Sequence, residues 1–187
     1  GAQLLLNLNS SPYHRGKQAE REALVALRAQ SAGLPVVYVN QVGGQDELVF
    51  DGGSFALDSS GAVCARAARF VEAEHWIRVD FGDSAAVLHG EHAVAPTDEL
   101  DATWQALVTG LRDYVDKNGF PGVVLGLSGG VDSALTLALA VDALGADRVE
   151  AIMMPFRYTA AMSIEDAAEQ SRLLGVRHSV ISIESVY

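Results

Sequence analysis

The residues most suited to chemistry run Gly126-Leu127-Ser128-Gly129-Gly130-Val131-Asp132-Ser133. Paired glycines let a backbone turn sharply and approach an anion closely, and the first-turn amides of a following helix supply donors and partial positive charge. Ser128 and Ser133 add hydroxyl donors. No lysine follows the glycines and their spacing is not GxGxxG, so neither the Walker phosphate loop nor the dinucleotide fingerprint is present. A carboxylate at Asp132 beside a bound polyphosphate would be repelled unless a cation lay between them, which makes Asp132 a candidate Mg²⁺ ligand. The competing reading is a tight Ser-Gly-Gly turn with Asp132 as a helix cap.

The elements around this loop must place it at the carboxyl edge of a sheet, where open α/β sheets bind ligands. Val123 to Leu127 reads as a buried strand, Asp132 to Leu144 as a helix closed by Gly145, and Val149 to Met154 as a second strand. Ser163-Ile164-Glu165-Asp166 is expected to open another helix with a capping box, closed by Gly175 before a third strand at Ser179 to Ile183. Two successive βαβ crossovers predict a doubly wound parallel sheet. Ahead of it, Leu100, Trp104, Leu107 and Leu111 recur at helical spacing up to Asn118-Gly119.

The first half has a different texture. Leu4 to Asn9 and Val36 to Asn40 read as buried strands, Gln18 to Ala32 as a helix closed by Gly33, the run SFALDSSGAVCAR as two strands around a turn, and His75 to Asp80 as one more. This suggests a layered α+β piece over residues 1–82, a small-residue linker over 83–97 and a second domain over 98–187. Asn40, Gln41, Asp46 and Glu47 read as a loop whose side chains cap backbone groups. A chain beginning directly in an apolar strand leads us to expect further sequence upstream.

Composition narrows the function. The 187 residues are 49% apolar and 20% charged, with 13 basic against 24 acidic side chains and a formal charge of -11. Such a chain is not a disordered tail, and without a basic run it is not expected to bind nucleic acid. One cysteine, Cys64, points to a cytoplasmic setting, and no apolar run approaches membrane-spanning length. The five histidines lack metal-ligand spacing.

The run LSGGVDSA resembles the pyrophosphate loop of the ATP pyrophosphatase superfamily, and Met153 to Ala167, MMPFRYTAAMSIEDA, resembles a segment of NAD synthetases, with Ala160 where that family commonly has Ser. The first half is similar to the nitrilase-like glutaminase domain fused ahead of glutamine-dependent NAD synthetases, through Asn7 to Tyr13, Lys17, Val39 to Glu47 and Phe50 to Ser54. The implied fold is the C-terminal end of a nitrilase-like α+β sandwich followed by the start of an adenine nucleotide α-hydrolase-like parallel sheet.

The implied activity is amidation of deamido-NAD⁺ by ammonia from glutamine, through an adenylylated intermediate, with ATP and Mg²⁺ consumed or required and AMP and pyrophosphate released. On this resemblance, residues 126 to 133 with Ile152, Met154 and Arg157 bind ATP, and Ser11 and Lys17 bind glutamine. The family's catalytic Glu, Lys and Cys are expected upstream of residue 1, leaving Cys64 a packing residue and the isolated chain inactive. The second Mg²⁺ ligand and the dinucleotide pocket are expected beyond Tyr187, and the complete enzyme is expected to be a homo-oligomer. Another amidating ligase such as a GMP synthetase, or a non-catalytic nucleotide-binding module, are the alternatives.

Overall fold

A computed structural model describes residues 1–90, 94–95 and 97–184; His92, part of the expected linker and Tyr187 lie outside them. The chain divides into two compact units, Gly1–Ala106 and Leu107–Tyr187.

In the first unit, β1 (Leu5–Asn9), β2 (Val36–Asn40), β5 (Phe55–Leu57) and β6 (Val63–Arg66) form one sheet in the order β1-β2-β5-β6. β1 and β2 are parallel, joined by α1 (Lys17–Ala32), while β5 and β6 continue antiparallel. Helix α1 buries Gln18, Arg21, Val25 and Ala29, a stripe at steps of three and four that faces one way on a helix. Val25 and Ala29 pack on Val36, Tyr38, Phe55 and Leu57, and the Tyr38 and Phe55 rings stack with centroids 4.8 Å apart. Gly33 ends α1 in the left-handed region at φ 63°, its N–H returning to the carbonyls of Ala29 and Gln30.

Two hairpins differ from expectation. Residues 41–47 are not a simple loop: β3 (Val42–Gln45) and β4 (Leu48–Asp51) pair antiparallel around Asp46 and Glu47, with Asp46 at φ 51°. Aspartate tolerates that conformation better than most residues, which makes the two-residue turn possible. Within the stretch read as a linker, β8 (Val87–Gly90) pairs with β7 (Ile77–Asp80), so the small polar residues there include a strand.

Helix α2 (Glu99–Lys117) precedes the second sheet, with Asp98 Oδ2 accepting from the amides of Leu100 and Asp101. In the second unit β9 (Val123–Gly126), α3 (Val131–Leu144), β10 (Val149–Met153), α4 (Ala161–Leu174) and β11 (Arg177–Val180) make two crossovers. The three strands are parallel in the order β11-β10-β9. Leu127, Leu137, Ala140, Val149, Ala151, Met153, Ala167 and Val176 form the core. Gln170 Nε2 ties α4 to α3 by donating to the Ala134 carbonyl at 2.7 Å.

The expected capping box at Ser163 is not formed. Helix α4 starts at Ala161 with Ala160 as its cap residue and no capping side chain, so Ser163 already lies inside the first turn. Strand β11 begins two residues earlier than its apolar content suggests, because the ladder to β10 pairs Glu150 with Arg177 and Met153 with Val180. The extent of a strand is decided by which residues find partners on its neighbour, polar ones included.

Candidate functional site

The phosphate-loop sequence occupies the turn between β9 and α3. Leu127 is 1% exposed and its N–H bonds the Ile152 carbonyl at 2.9 Å, which extends the sheet contact one residue past β9. The loop then folds on its own hydroxyls. Ser133 Oγ accepts from the Ser128 N–H at 3.2 Å, lies 3.0 Å from Ser128 Oγ and donates to the Gly130 carbonyl at 3.0 Å. Ser128 Oγ accepts from the Gly130 N–H at 3.3 Å.

The two adjacent glycines have different reasons to be glycine. Gly129 sits at φ 78°, and a Cβ there would lie 2.6 Å from the Ser163 Cα and also strike that residue's carbonyl. The space expected for an approaching phosphate is therefore filled, at this residue, by the first turn of α4. Gly130 is the cap residue of α3 in ordinary extended geometry, φ -93°, and a Cβ there would meet only Ser128 Oγ at 3.4 Å. Neither backbone strain nor a protein neighbour requires glycine at 130. An open face at a helix N-terminus is where a ligand's atoms can come close to the main chain.

The ladder of α3 begins with the Ala134 N–H on the Gly130 carbonyl, and the amides before it have no intrahelical acceptor. Val131, 78% exposed, and Asp132 stand in this first turn, and among the described residues no partner pairs with the Asp132 carboxylate. One hard oxygen ligand beside phosphates suits Mg²⁺, which takes one or two carboxylates and completes its shell with phosphate and water. Among the described residues no group of three His, Cys, Asp or Glu side chains could hold a metal alone.

Ile152 lies on β10 opposite Gly126, and Met154 follows the end of that strand, half-exposed, with its Cε 3.1 Å from where a Cβ on Gly126 would stand. Both are thus beside the loop. Arg157 has partners of its own: its Nε pairs with Glu184 Oε1 at 2.8 Å and its guanidinium lies 5.2 Å from the Phe156 ring centroid.

Ser11 and Lys17 flank the start of α1. The Ser11 N–H donates to Asn40 Oδ1 at 2.8 Å, and Ser11 Oγ accepts from Arg21 Nε at 3.1 Å. Lys17 is the first residue of α1 and its Nζ lies 3.2 Å from Glu20 Oε2. Asn40 caps backbone groups as expected, donating to the carbonyls of Ser11 and Gly52 at 3.2 and 3.1 Å. Gln41 accepts from Ser10 Oγ at 2.9 Å.

Beneath them runs a charge network that the sequence reading does not contain. Asp51 is fully buried and pairs with Arg21 Nη1 at 2.8 Å and Arg69 Nε at 3.0 Å; both arginines are buried as well. The Arg69 guanidinium lies 5.3 and 5.2 Å from the ring centroids of Tyr13 and Phe70. Nearby, Glu22 pairs with Arg66 through two 2.7 Å hydrogen bonds. Burial pushes the Glu22 carboxyl up, but hydrogen bonds from Arg66 and Gln18 and the Arg66 charge together hold it below the usual range. The available signal was polar residues Gln18 and Arg21 on the same helical stripe as Val25 and Ala29.

Cys64 is a partly buried residue of β6, with burial and then the Asp58 charge pushing its thiol up. A nucleophilic cysteine needs the opposite shift.

Family comparison divides the chain as its chemistry does. Residues 1–85 match the carbon-nitrogen hydrolase family and residues 103–187 match the NAD synthase family. The whole chain is 48% identical to the glutamine-dependent NAD(+) synthetase of Xanthomonas campestris pv. campestris (strain 8004) and 50% identical to that of Xylella fastidiosa (strain 9a5c), covering 34% of each. It thus spans about a third of the length of the curated relatives it matches. The solved structure of glutamine-dependent NAD+ synthetase from Acinetobacter baumannii in complex with ADP superposes with a TM-score of 0.92 at 46% identity, over 98% of this chain and 35% of that one. The chain thus carries a carbon-nitrogen hydrolase segment followed by an NAD synthase segment, and over its whole length it is similar to glutamine-dependent NAD(+) synthetases.

Proposed function

We propose that the enzyme containing this chain makes NAD⁺ by ATP-dependent amidation of deamido-NAD⁺, with glutamine as the source of ammonia. Residues 98–187 serve the synthetase reaction, residues 1–82 the glutaminase reaction, and residues 83–97 connect them. The observation that carries the reading is the open face at Gly130, framed by Ser128, Ser133 and the first-turn amides of α3. The solved A. baumannii relative was obtained with ADP, which supports an adenine nucleotide as the ligand.

In this reading the loop from Gly126 to Ser133 binds the ATP phosphates, with Ile152 and Met154 against the adenine. Arg157, paired with Glu184 through Nε, offers its remaining guanidinium donors to phosphate. Asp132 would hold Mg²⁺, which when bound offsets phosphate charge. The amides and hydroxyls of the loop orient the polyphosphate and stabilise charge on departing pyrophosphate, so that a substrate carboxylate attacks the α-phosphorus and becomes adenylylated. Ammonia then displaces AMP. Ser11 and Lys17 bind glutamine, and Cys64 takes no part. The setting we propose is cytoplasmic and the complete enzyme a homo-oligomer acting on small molecules without nucleic acid. Among the described residues no helix is long and apolar enough to cross a membrane.

Product analysis of the full-length enzyme with ATP, deamido-NAD⁺ and glutamine tests this. AMP and pyrophosphate should appear in equal amounts with NAD⁺; ADP and orthophosphate would overturn it.

A further inference from the structure

Ser11 is gripped by two buried side chains from different elements. Arg21 on α1 donates from Nε to Ser11 Oγ at 3.1 Å and from Nη2 to the Ser11 carbonyl at 2.8 Å. Asn40, the last residue of β2, accepts from the Ser11 N–H at 2.8 Å and donates to the same carbonyl at 3.2 Å. Arg21 is itself fixed by Asp51 at 2.8 Å, and Asp51 by Arg69 at 3.0 Å. The main chain of Ser11 is therefore fully engaged, and its side chain is engaged on one side only.

A serine hydroxyl carries one hydrogen and two lone pairs. Arg21 occupies a lone pair, and among the described residues nothing accepts the hydrogen. The cation that grips the oxygen also polarises the O–H bond and repels a second positive group. We propose that Arg21 and Asn40 are positioning residues that turn Ser11 into a one-way donor, so that it receives an oxygen of glutamine, carboxylate or carbonyl, and not the α-ammonium. This inference rests on the proposed role of Ser11 in glutamine binding.

A double-mutant cycle in the full-length enzyme tests it, with Ser11→Ala, Arg21→Lys and the pair, each assayed with glutamine and with free ammonia. Lysine keeps the charge beside Asp51 but cannot fork onto both oxygens of Ser11. Arg21→Lys should raise the glutamine KM about 10-fold, as expected for loss of a charge-assisted hydrogen bond, and lower the ratio of glutamine- to ammonia-dependent synthesis. The double variant should be no worse than Ser11→Ala alone within about 2-fold, because Arg21 acts through Ser11.

A normal glutamine KM in Arg21→Lys, or fully multiplicative losses in the pair, would overturn the positioning role while leaving Ser11 a ligand. A normal glutamine KM in Ser11→Ala would instead remove the glutamine reading, and this inference with it. Should Arg21→Lys lose synthesis from both nitrogen sources, Asn40→Ser, which releases Ser11 without stranding a buried charge, takes its place in the cycle with the same expected pattern.

Discussion

The two candidate sites are built from opposite materials. Around Ser11 the supports are ionised side chains drawn out of water, Arg21, Asp51 and Arg69, each held by another charge. At the phosphate loop the supports are main-chain amides, two hydroxyls and two glycines, and Asp132 stands exposed at the rim. The first arrangement fixes one serine through long-range pairing, so an error in one partner strands the others. The second is local in its hydrogen bonds and gives way chiefly where a Cβ would intrude.

Breaking the charge network should have the largest effect. Asp51→Ala leaves two buried guanidinium groups without their shared carboxylate, and such a loss costs about 3–5 kcal/mol. Denaturant unfolding should show it; a change below about 1 kcal/mol would mean the arginines find water. The glycines come next, and they separate sharply. Gly129→Ala should cost about 2–4 kcal/mol from positive φ and the Ser163 backbone together, whereas Gly130→Ala should leave stability within about 1 kcal/mol and weaken ATP binding instead. Calorimetric melting set beside a nucleotide titration distinguishes the two, and equal stability losses would remove the contrast.

Glu22 sharpens the comparison through pH. Its carboxyl is held below the usual range in the fold, so its contribution is complete above the unfolded glutamate value of about 4.3 and is lost as pH falls through the lower folded value. Glu22→Gln should flatten the acid limb of the stability profile by on the order of 1 kcal/mol, the pair being partly solvated. An unchanged acid limb would show that the Arg66 pair does not select for the fold. Smallest of all, Cys64→Ala should alter stability by less than about 1 kcal/mol and leave glutamine-dependent synthesis intact.

What the sequence disclosed follows from how local each cause is. Strand β2 is legible because it is an apolar run that starts directly after a proline, Pro35, and the end of α1 because Gly33 supplies the left-handed residue that ends a helix. The phosphate loop is legible because eight consecutive residues carry it. The β3–β4 hairpin escaped because Gly43, Gly44 and Asp46 are loop formers by composition, and only pairing with residues 48–51 makes a strand of residues 42–45. Ser163 and Asp166 have the spacing of a capping box, yet the helix runs through them because it starts at Ala161. Asp51 finds Arg21 thirty residues before it and Arg69 eighteen after it, a pairing that no local pattern announces.

Gly129 has a consequence for how this site can vary. The atoms in its way are the Cα and carbonyl of Ser163, which every amino acid carries. No exchange of side chain at 163 can make room, so the two positions have no compensating pair of substitutions. The demand on residue 129 is written in the course of the main chain, and only a shift of the first turn of α4 could relax it.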